Sequence, residues 1–217
     1  MIKALIFDFD GTLVNTEPLH HRAWKAALLD NGVSEFTFED FLSYVGTSNE
    51  KVAGDFIESD GIKKSVTQLV REKQAKYMKF IPRIQLCDGV HQVLSRYRDK
   101  MELAVASSSH QHEIKAILEE KELGGYFSQV VGGDMVEKKK PDPEIYLMVQ
   151  SLLHVSPEEC IAFEDSASGL NAAKNAGMYG IAIPNEFTGN HDFTRADLII
   201  NSLAEVNDEL IRQLQNS

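Results

Sequence analysis

The stretch Leu5-Ile6-Phe7-Asp8-Phe9-Asp10-Gly11-Thr12-Leu13-Val14 decides how the rest of the chain is interpreted. Its apolar run ends at two acids one residue apart, followed by Gly-Thr, which is typical of a buried strand ending in a turn. Alternate side chains of an extended segment share a face, so Asp8 and Asp10 can point into one crevice at a strand end. Two such carboxylates repel unless a cation joins them or one is protonated. The stretch therefore predicts a divalent-metal site or an acid–base pair, although it also fits an ordinary Asp-Gly turn with two solvated acids.

The composition limits the class of protein. The chain has 217 residues, enough for one large domain or two small ones, and 43% of them are hydrophobic. Lys and Arg number 22 against 33 Asp and Glu, a formal charge of −11, which argues against binding to nucleic acid or to an anionic membrane. The two cysteines, Cys87 and Cys160, lie far apart and are expected to be reduced. We expect a cytoplasmic protein with neither a transmembrane helix nor a signal peptide.

Residues 16–84 carry helical patterns and no convincing strand. A helix is expected after Thr16, a capping box at Thr47-Ser48-Asn49-Glu50, and a long helix over about 66–81, before Pro82. This block is too long for a single crossover between parallel strands. The sequence predicts an inserted helical cap at 16–84, between the two halves of a core at 1–15 and 85–217.

Strands and helices alternate from Asp88 onward. Strands are expected at 103–107, 129–133, 160–164, 181–183 and 198–200, with helical patterns between them. Such alternation predicts the α/β class, with a doubly wound (Rossmann-like) parallel sheet covered by helices on both faces. The first strand of that sheet comes from before the insert.

Two further strand ends carry residues suited to holding an anion. Ser107-Ser108-Ser109 ends one strand with small hydroxyls, which suit a phosphate oxygen but also serve as ordinary helix caps. Lysine runs are usually solvated. Lys140, however, precedes Pro141, which favours an extended conformation, so this lysine can point into the crevice while Lys138 and Lys139 stay in water.

Glu164-Asp165 ends another strand and leads into a helix. These carboxylates could cap that helix, and they are also hard oxygen ligands suited to Mg²⁺. Four successive strand ends thus carry two acids, a hydroxyl, a lysine and two acids. Phosphoryl transfer needs this combination, because a metal joins acids to phosphate while a cation and donors neutralise its oxygens.

These motifs, in this order, resemble those of the haloacid dehalogenase superfamily on its phosphatase and phosphomutase side. The resemblance implies Asp8 as nucleophile, Asp10 as general acid and base, and Ser107 and Lys140 as phosphoryl-holding groups. It implies Mg²⁺ on Asp8, the Asp10 carbonyl and Asp165, with Glu164 as a further ligand. Ser108 belongs to the same phosphate-facing loop.

The helical insert resembles the small four-helix cap of β-phosphoglucomutase-like proteins and related sugar-phosphate phosphatases. The resemblance implies that several cap residues contact a small phosphorylated metabolite, namely Thr16, His20, Trp24, Gly46, Ser48 and Lys73. Trp24 also fits a position in the core of the helical insert, and His20 fits a partly exposed helix position, without any contact to substrate.

One departure separates the chain from the mutase pattern. Those proteins carry an arginine just after the Gly-x-Ser loop, suited to a second phosphate, where this chain has Asn49. We therefore favour a phosphatase over a phosphomutase. A dehalogenase is disfavoured, because its reaction would leave Asp10 and the Glu164-Asp165 pair without a role. A receiver-like signalling module is disfavoured, because such modules lack a long insert. A monomer is expected, since a cap can close the site within one chain.

Overall fold

The structure is a computed structural model that describes residues 1–45 and 47–215 and divides the chain into two compact units. The core unit comprises Met1–Asn15 and Gln85–Ser217, and the helical unit comprises Thr16–Ile84.

The helices and strands follow one another after Asp88 in the order that the alternating pattern predicts. In chain order they are β1 (Ala4–Phe7), β2 (Val14–Asn15), α1 (Glu17–Asp30), α2 (Phe38–Leu42), α3 (Asn49–Asp60), α4 (Val66–Tyr77), β3 (Gln85–Leu86), α5 (Val90–Tyr97), β4 (Glu102–Ser107), α6 (Gln111–Glu120), β5 (Gln129–Gly132), α7 (Glu144–Leu153), β6 (Cys160–Glu164), α8 (Ala167–Asn175), β7 (Tyr179–Ala182), β8 (Leu198–Ile199) and α9 (Asp208–Gln215).

The core unit is built on a parallel sheet of six strands among the described residues, in the order β5-β4-β1-β6-β7-β8. Numbered along the chain, these six strands read 3-2-1-4-5-6, the order of a doubly wound Rossmann-like sheet. The predicted fold class is confirmed, and β1 lies in the middle of the sheet with β4 and β6 as its neighbours.

Both faces of the sheet are buried, which explains why its strands are apolar throughout rather than alternating. One face packs against α7 and α8 through small and branched side chains such as Ala4, Ile6 and Ala162. The residues between them point to the opposite face, where Phe7 stacks on Phe163 with ring centroids 4.9 Å apart. This packing fixes the carboxyl ends of β1 and β6 side by side.

The two connections that flank the helical unit pair with each other. β2 and β3 form an antiparallel ladder, with Val14 opposite Leu86 and Asn15 opposite Gln85. The sequence predicts these segments only as connections, because two-residue strands carry no periodic signal.

The helical unit contains four α-helices in residues 16–45 and 47–84, as the cap prediction requires. Its core packs Trp24, Leu28, Phe36 and Leu69 together. None of the helices formed by the described part of the chain is long and apolar enough to cross a membrane.

Two details of the helical unit correct the sequence predictions. The helix expected over 66–81 ends at Tyr77 and continues as a 3₁₀ helix, Met78–Arg83. Pro82 has no N–H to donate and its ring obstructs the carbonyl four residues earlier, so the last turns cannot stay α-helical. The capping box expected at 47–50 is also wrong: Ser48 alone caps α3 by accepting the Lys51 amide at 3.2 Å.

Candidate active site

The predicted core residues meet at the carboxyl ends of β1, β4 and β6. Asp8 directly follows β1, Ser107 ends β4 and Glu164 ends β6. The strand order reverses between β1 and β6, and open α/β sheets bind ligands in the crevice at such a switch point. The fold therefore brings residues more than 150 positions apart in the chain to one sheet edge.

The turn after β1 depends on a glycine. Gly11 has φ +86°, a left-handed conformation that side chains disfavour, and its amide donates to the Val14 carbonyl at 2.8 Å. A Cβ at this position would also overlap the Asp165 carboxylate. Gly11 therefore allows the turn to approach Asp165 closely.

Lys140 lies at the centre of the acidic cluster. Its ammonium donates to Asp8 Oδ1 at 2.7 Å, to Glu164 Oε1 at 2.6 Å and to the Ala106 carbonyl at 2.9 Å. The Lys140 side chain is 6% exposed, whereas that of Lys138 is 72% exposed. The structure thus separates one buried lysine from a solvated neighbour. Lys139 is exposed too, although its ammonium donates to the Gly133 carbonyl rather than only to water.

Glu164 is held in place from several sides. Besides Lys140, its Oε1 accepts from the buried Tyr146 hydroxyl at 2.5 Å, and its Oε2 accepts from Ser166 Oγ at 3.3 Å. The carboxylate lies against Gly169 in α8, where any Cβ would overlap it. The sequence reasoning missed Tyr146 and Gly169, because both lie inside helices, where periodicity describes only packing.

A Gly169→Ala substitution is expected to destabilise the enzyme by about 1–3 kcal/mol, because the new methyl group must displace a buried carboxylate. Urea denaturation measures this loss. Gly54→Ala is the matched control: Gly54 lies inside α3 with open space around its Cβ position, so alanine there should stabilise by about 0.5–1 kcal/mol. Equal effects of the two substitutions would contradict the close packing at Gly169.

Asp165 is oriented by a residue that the sequence reasoning missed. The side-chain amide of Asn185 donates to Asp165 Oδ2 at 2.8 Å, while its own Oδ1 accepts the amides of Phe187 and Thr188. Asn185 lies just beyond the carboxyl end of β7. Candidate residues at the ends of parallel strands, such as Asp8, are predicted from the sequence; the same criterion applied to β7 also predicts Asn185.

Asp10 faces the serine loop after β4. Its Oδ2 accepts from Ser109 Oγ at 2.6 Å and from Ser107 Oγ at 3.3 Å, and the Ser109 amide donates to Ser107 Oγ at 3.0 Å. Ser108 is exposed. The loop thus places two hydroxyls against Asp10, and the sequence could not tell Ser109 from its two identical neighbours.

Burial and neighbouring charges set the electrostatics of the cluster. Burial raises the pKa of Asp8 well above its ordinary value; Lys140 opposes this shift, and Glu164 and Asp165 add to it. Burial by itself lowers the pKa of the Lys140 ammonium, but Asp8 and Glu164 outweigh it and raise that pKa. Lys140 is therefore a permanent cation, and a proton or a cation is needed to relieve the repulsion around Asp8.

The acids fit a divalent metal. Ligand oxygens of Asp8, Glu164 and Asp165 all lie within 4.8 Å of one another and all three residues are buried. Carboxylates are hard ligands of the type that Mg²⁺ prefers, and in this cluster they outnumber the Lys140 ammonium three to one. A buried excess of negative charge is costly unless a cation compensates it. The cluster could therefore hold a metal ion.

Comparison with known proteins places the chain in a family. The model of the haloacid dehalogenase-like hydrolases matches residues 5–183. The chain belongs to this family.

Its relatives among the haloacid dehalogenase-like hydrolases include phosphatases. The chain is 36% identical to a phosphorylated carbohydrates phosphatase of Thermotoga maritima, covering 83% of this chain and 85% of that protein. A crystal structure of a mutant of CbbY from Rhodobacter sphaeroides, in complex with xylulose-(1,5)bisphosphate, has a TM-score of 0.87 and 31% identity, covering 95% of this chain and 97% of that one. The fold is also that of β-phosphoglucomutase from Clostridium difficile, with a TM-score of 0.84 and 24% identity over all of this chain and 98% of that one. The chain is therefore an enzyme of the haloacid dehalogenase-like phosphatase type, and the likeness to β-phosphoglucomutase shows a shared fold alone.

The helical unit of this haloacid dehalogenase-like hydrolase contains a buried lysine. Lys73 is fully buried, and its ammonium lies 2.8 Å from His20 Nδ1 and 5.1 Å from the centroid of the Tyr77 ring. The His20 ring stacks on Tyr77 at 4.3 Å. Trp24 is 1% exposed within the helical core, and the Lys73 ammonium lies 5.8 Å from its ring centroid.

The other predicted residues of the helical unit have different surroundings. Thr16 is buried at the start of α1, where its carbonyl accepts the amides of Leu19 and His20, but its side chain makes no capping bond. Ser48 is exposed and caps α3. Gly46 lies outside the described residues. Substrate contact by these residues stays a prediction.

Proposed function

We propose that the chain is a Mg²⁺-dependent phosphatase that hydrolyses a small phosphorylated sugar through an aspartyl-phosphate on Asp8. One observation carries the proposal: Asp8 lies at the switch point of the sheet, buried, with the ammonium of Lys140 at 2.7 Å. A carboxylate can attack a phosphate dianion only when fixed positive charge overcomes their repulsion. The site supplies one such charge directly and the ligands for another.

Mg²⁺ is assigned to Asp8, Asp165 and the Asp10 carbonyl. Asn185 orients one oxygen of Asp165 through a hydrogen bond. In many metal sites, residues that hydrogen-bond to the ligands orient them in this way. Glu164 was also predicted as a ligand, but both its oxygens accept from protein donors, so we assign it mainly to holding Lys140. When bound, the ion supplies charge that stabilises the transferring phosphoryl group.

Asp8 and Asp10 take separate roles. A carboxylate oxygen of Asp8 forms the new bond to phosphorus while the bond from phosphorus to the sugar oxygen breaks. Asp10 gives its proton to that leaving oxygen, then removes a proton from the water that hydrolyses the aspartyl-phosphate. The hydroxyl of Ser109, which donates to Asp10 Oδ2, orients this carboxyl group.

Lys140 and Ser107 hold the transferring phosphoryl group. Lys140 is fixed by three acceptors, and its ammonium keeps its charge at any working pH because Asp8 and Glu164 raise its pKa. A preorganised cation of this kind needs little rearrangement as charge develops on the phosphoryl oxygens.

The helical unit is assigned to substrate selection. Its proposed contacts are Lys73, His20, Trp24, Thr16, Gly46 and Ser48. Lys73, which is buried, and His20, which is half-buried, offer an amine and an imidazole beside aromatic rings, a combination suited to sugar hydroxyls and a phosphate.

The substrate class is proposed from the relatives and is open to direct measurement. A panel of hexose, pentose and triose phosphates, assayed for phosphate release with Mg²⁺, should show preference for one or more sugar phosphates. Activity on none of them, with the protein folded and Mg²⁺ present, would contradict the proposal.

A phosphomutase of the β-phosphoglucomutase type is the second candidate, because the fold is shared with that enzyme. Asn49, at the start of α3, carries no charge. An arginine at this position would bind the second phosphate of a bisphosphate with two hydrogen bonds and so retain it. NMR of β-glucose 1-phosphate with a bisphosphate primer separates the two: isomerisation supports the mutase, and hydrolysis without isomerisation supports the phosphatase.

Removal of divalent metal is expected to abolish turnover and to lower the melting temperature. EDTA treatment leaves Lys140 as the cation that faces the buried carboxylates. A ligand that binds only the folded state stabilises it, so removing Mg²⁺ removes that stabilisation. Thermal unfolding with and without Mg²⁺ measures the effect. Asp165→Asn should lose most of the Mg²⁺-induced shift, whereas Asp142→Asn, at the half-exposed start of α7, should keep it. A shift that survives in Asp165→Asn would contradict the assigned ligands.

A further inference from the structure

A second group of side chains that could ligate a metal lies at the start of α6 and shares no residue with the acidic cluster. It consists of His110, His112 and Glu113, whose ligand atoms lie within 4.8 Å of one another. Glu113 Oε1 is 3.8 Å from His110 Nδ1 and 3.8 Å from His112 Nε2. The Glu113 side chain is 8% exposed, whereas the two imidazoles are more than half exposed.

The spacing of these atoms suits a tetrahedral ion. Two ligands at bond lengths of about 2.0–2.1 Å lie roughly 3.3 Å apart around a tetrahedral centre, and the observed 3.8 Å separations are close to that value. The buried carboxylate provides a fixed point, so only the two exposed rings must turn to complete the contacts. The ring centroids of His110 and His112 are 5.7 Å apart.

The backbone beneath this group is braced. The Gln111 amide donates to Asp134 Oδ1 at 2.8 Å, the Gln111 side chain donates to the Val130 carbonyl at 2.8 Å, and the Gly133 amide donates to the Ser109 carbonyl at 2.8 Å. Asp134 also places a negative charge at this helix start, where the helix dipole alone disfavours a cation. Burial raises the pKa of Asp134, but hydrogen bonds from backbone amides, including that of Gln111, and then the nearby His110 and His112 outweigh it and lower that pKa.

We propose that His110, His112 and Glu113 form a binding site for Zn²⁺ or a similar borderline divalent ion, with water at the fourth position. Two imidazoles and one carboxylate are ligands that zinc, copper and nickel accept and that Mg²⁺ disfavours. The Asp8 cluster offers only oxygen. The enzyme would therefore bind Mg²⁺ through oxygen ligands at the sheet edge and Zn²⁺ through two nitrogen ligands and one oxygen ligand at the start of α6.

The test is a Zn²⁺ titration of the whole purified enzyme against a chromophoric chelator, in a large excess of Mg²⁺ that occupies the oxygen site. The wild type should bind one equivalent of Zn²⁺, and His112→Gln and Glu113→Gln should each weaken binding by about tenfold or more. His91→Gln, a change of an exposed histidine in α5, is the matched control and should bind as the wild type does. Unchanged affinity in His112→Gln would overturn the proposal.

NMR provides a second readout that does not depend on the chelator. Of the seven histidines, only the imidazole signals of His110 and His112 should shift with the first equivalent of Zn²⁺. The same shifts should appear in Asp165→Asn, which is impaired at the oxygen site. Shifts spread evenly over all the histidines would show non-specific binding and would also overturn the proposal.

Discussion

Replacing Asp8 by Asn is expected to reduce phosphate release by about 10⁴-fold or more, because the amide cannot serve as the nucleophile. The side chains have nearly the same shape, so the Lys140 contact at Oδ1 can persist. Initial rates on the best sugar phosphate of the panel measure the loss. Asp99→Asn, at an 89% exposed side chain of the same unit, is the control and should leave turnover unchanged.

The same variant distinguishes lost chemistry from lost folding. Burial raises the pKa of Asp8 above its ordinary value of 3.8, so the unfolded chain gives up this proton more readily than the folded one. The metal-free wild type should therefore lose stability as pH rises from about 3.8. Asp8→Asn has no titrating group at this position, so its free energy of unfolding should depend less on pH than that of the wild type. The same variant should release no phosphate. If a folded Asp8→Asn enzyme retained activity, Asp8 would not be the nucleophile.

Trapping the covalent intermediate tests the mechanism independently. Acid quenching during turnover should leave a phosphoryl group on the peptide that contains Asp8, and none should appear in Asp8→Asn. Phosphate found on a serine of the 107–109 loop instead would contradict the assigned nucleophile.

The strand-end logic explains why much of the site could be predicted from sequence. In a parallel sheet every carboxyl end meets the same edge, so an apolar strand followed by a polar residue is enough to place Asp8, Ser107 and Glu164 together. The prediction needs neither the strand order nor the packing, because all the strands of a parallel sheet end at the same edge.

Packing decides what the sequence could not predict. Tyr146 shares α7 with the core residues Ile145 and Val149, and nothing in the helical period indicates that its hydroxyl reaches Glu164. Gly169 reads as an ordinary small residue of α8 until the Glu164 carboxylate is seen against it. Such contacts depend on the distance between a helix and a sheet, which one sequence does not encode locally.

Replacing Lys140 by Met is expected to affect stability and catalysis together. The substitution leaves Asp8 and Glu164 buried without their cation, and breaking a buried ion pair from one side costs about 3–5 kcal/mol. Loss of a preorganised cation at the phosphoryl group should also lower turnover by about 10²–10³-fold. Lys138→Met in the same lysine run is the matched control, since its side chain is 72% exposed, and it should change the unfolding free energy by less than about 0.5 kcal/mol.

A second substitution separates the two effects. Adding Glu164→Gln to Lys140→Met removes one uncompensated charge and keeps the acceptor oxygen for Tyr146, so part of the lost stability should return. Turnover should not return, because no cation faces the phosphoryl group. The double-mutant cycle in urea then gives the coupling energy of the pair, and kinetics on the same proteins gives the catalytic loss. If Lys140→Met lost no more stability than Lys138→Met, the buried ammonium would not be what balances the acidic cluster. If turnover returned in the double variant, Lys140 would act by supporting the fold rather than by contacting the phosphoryl group.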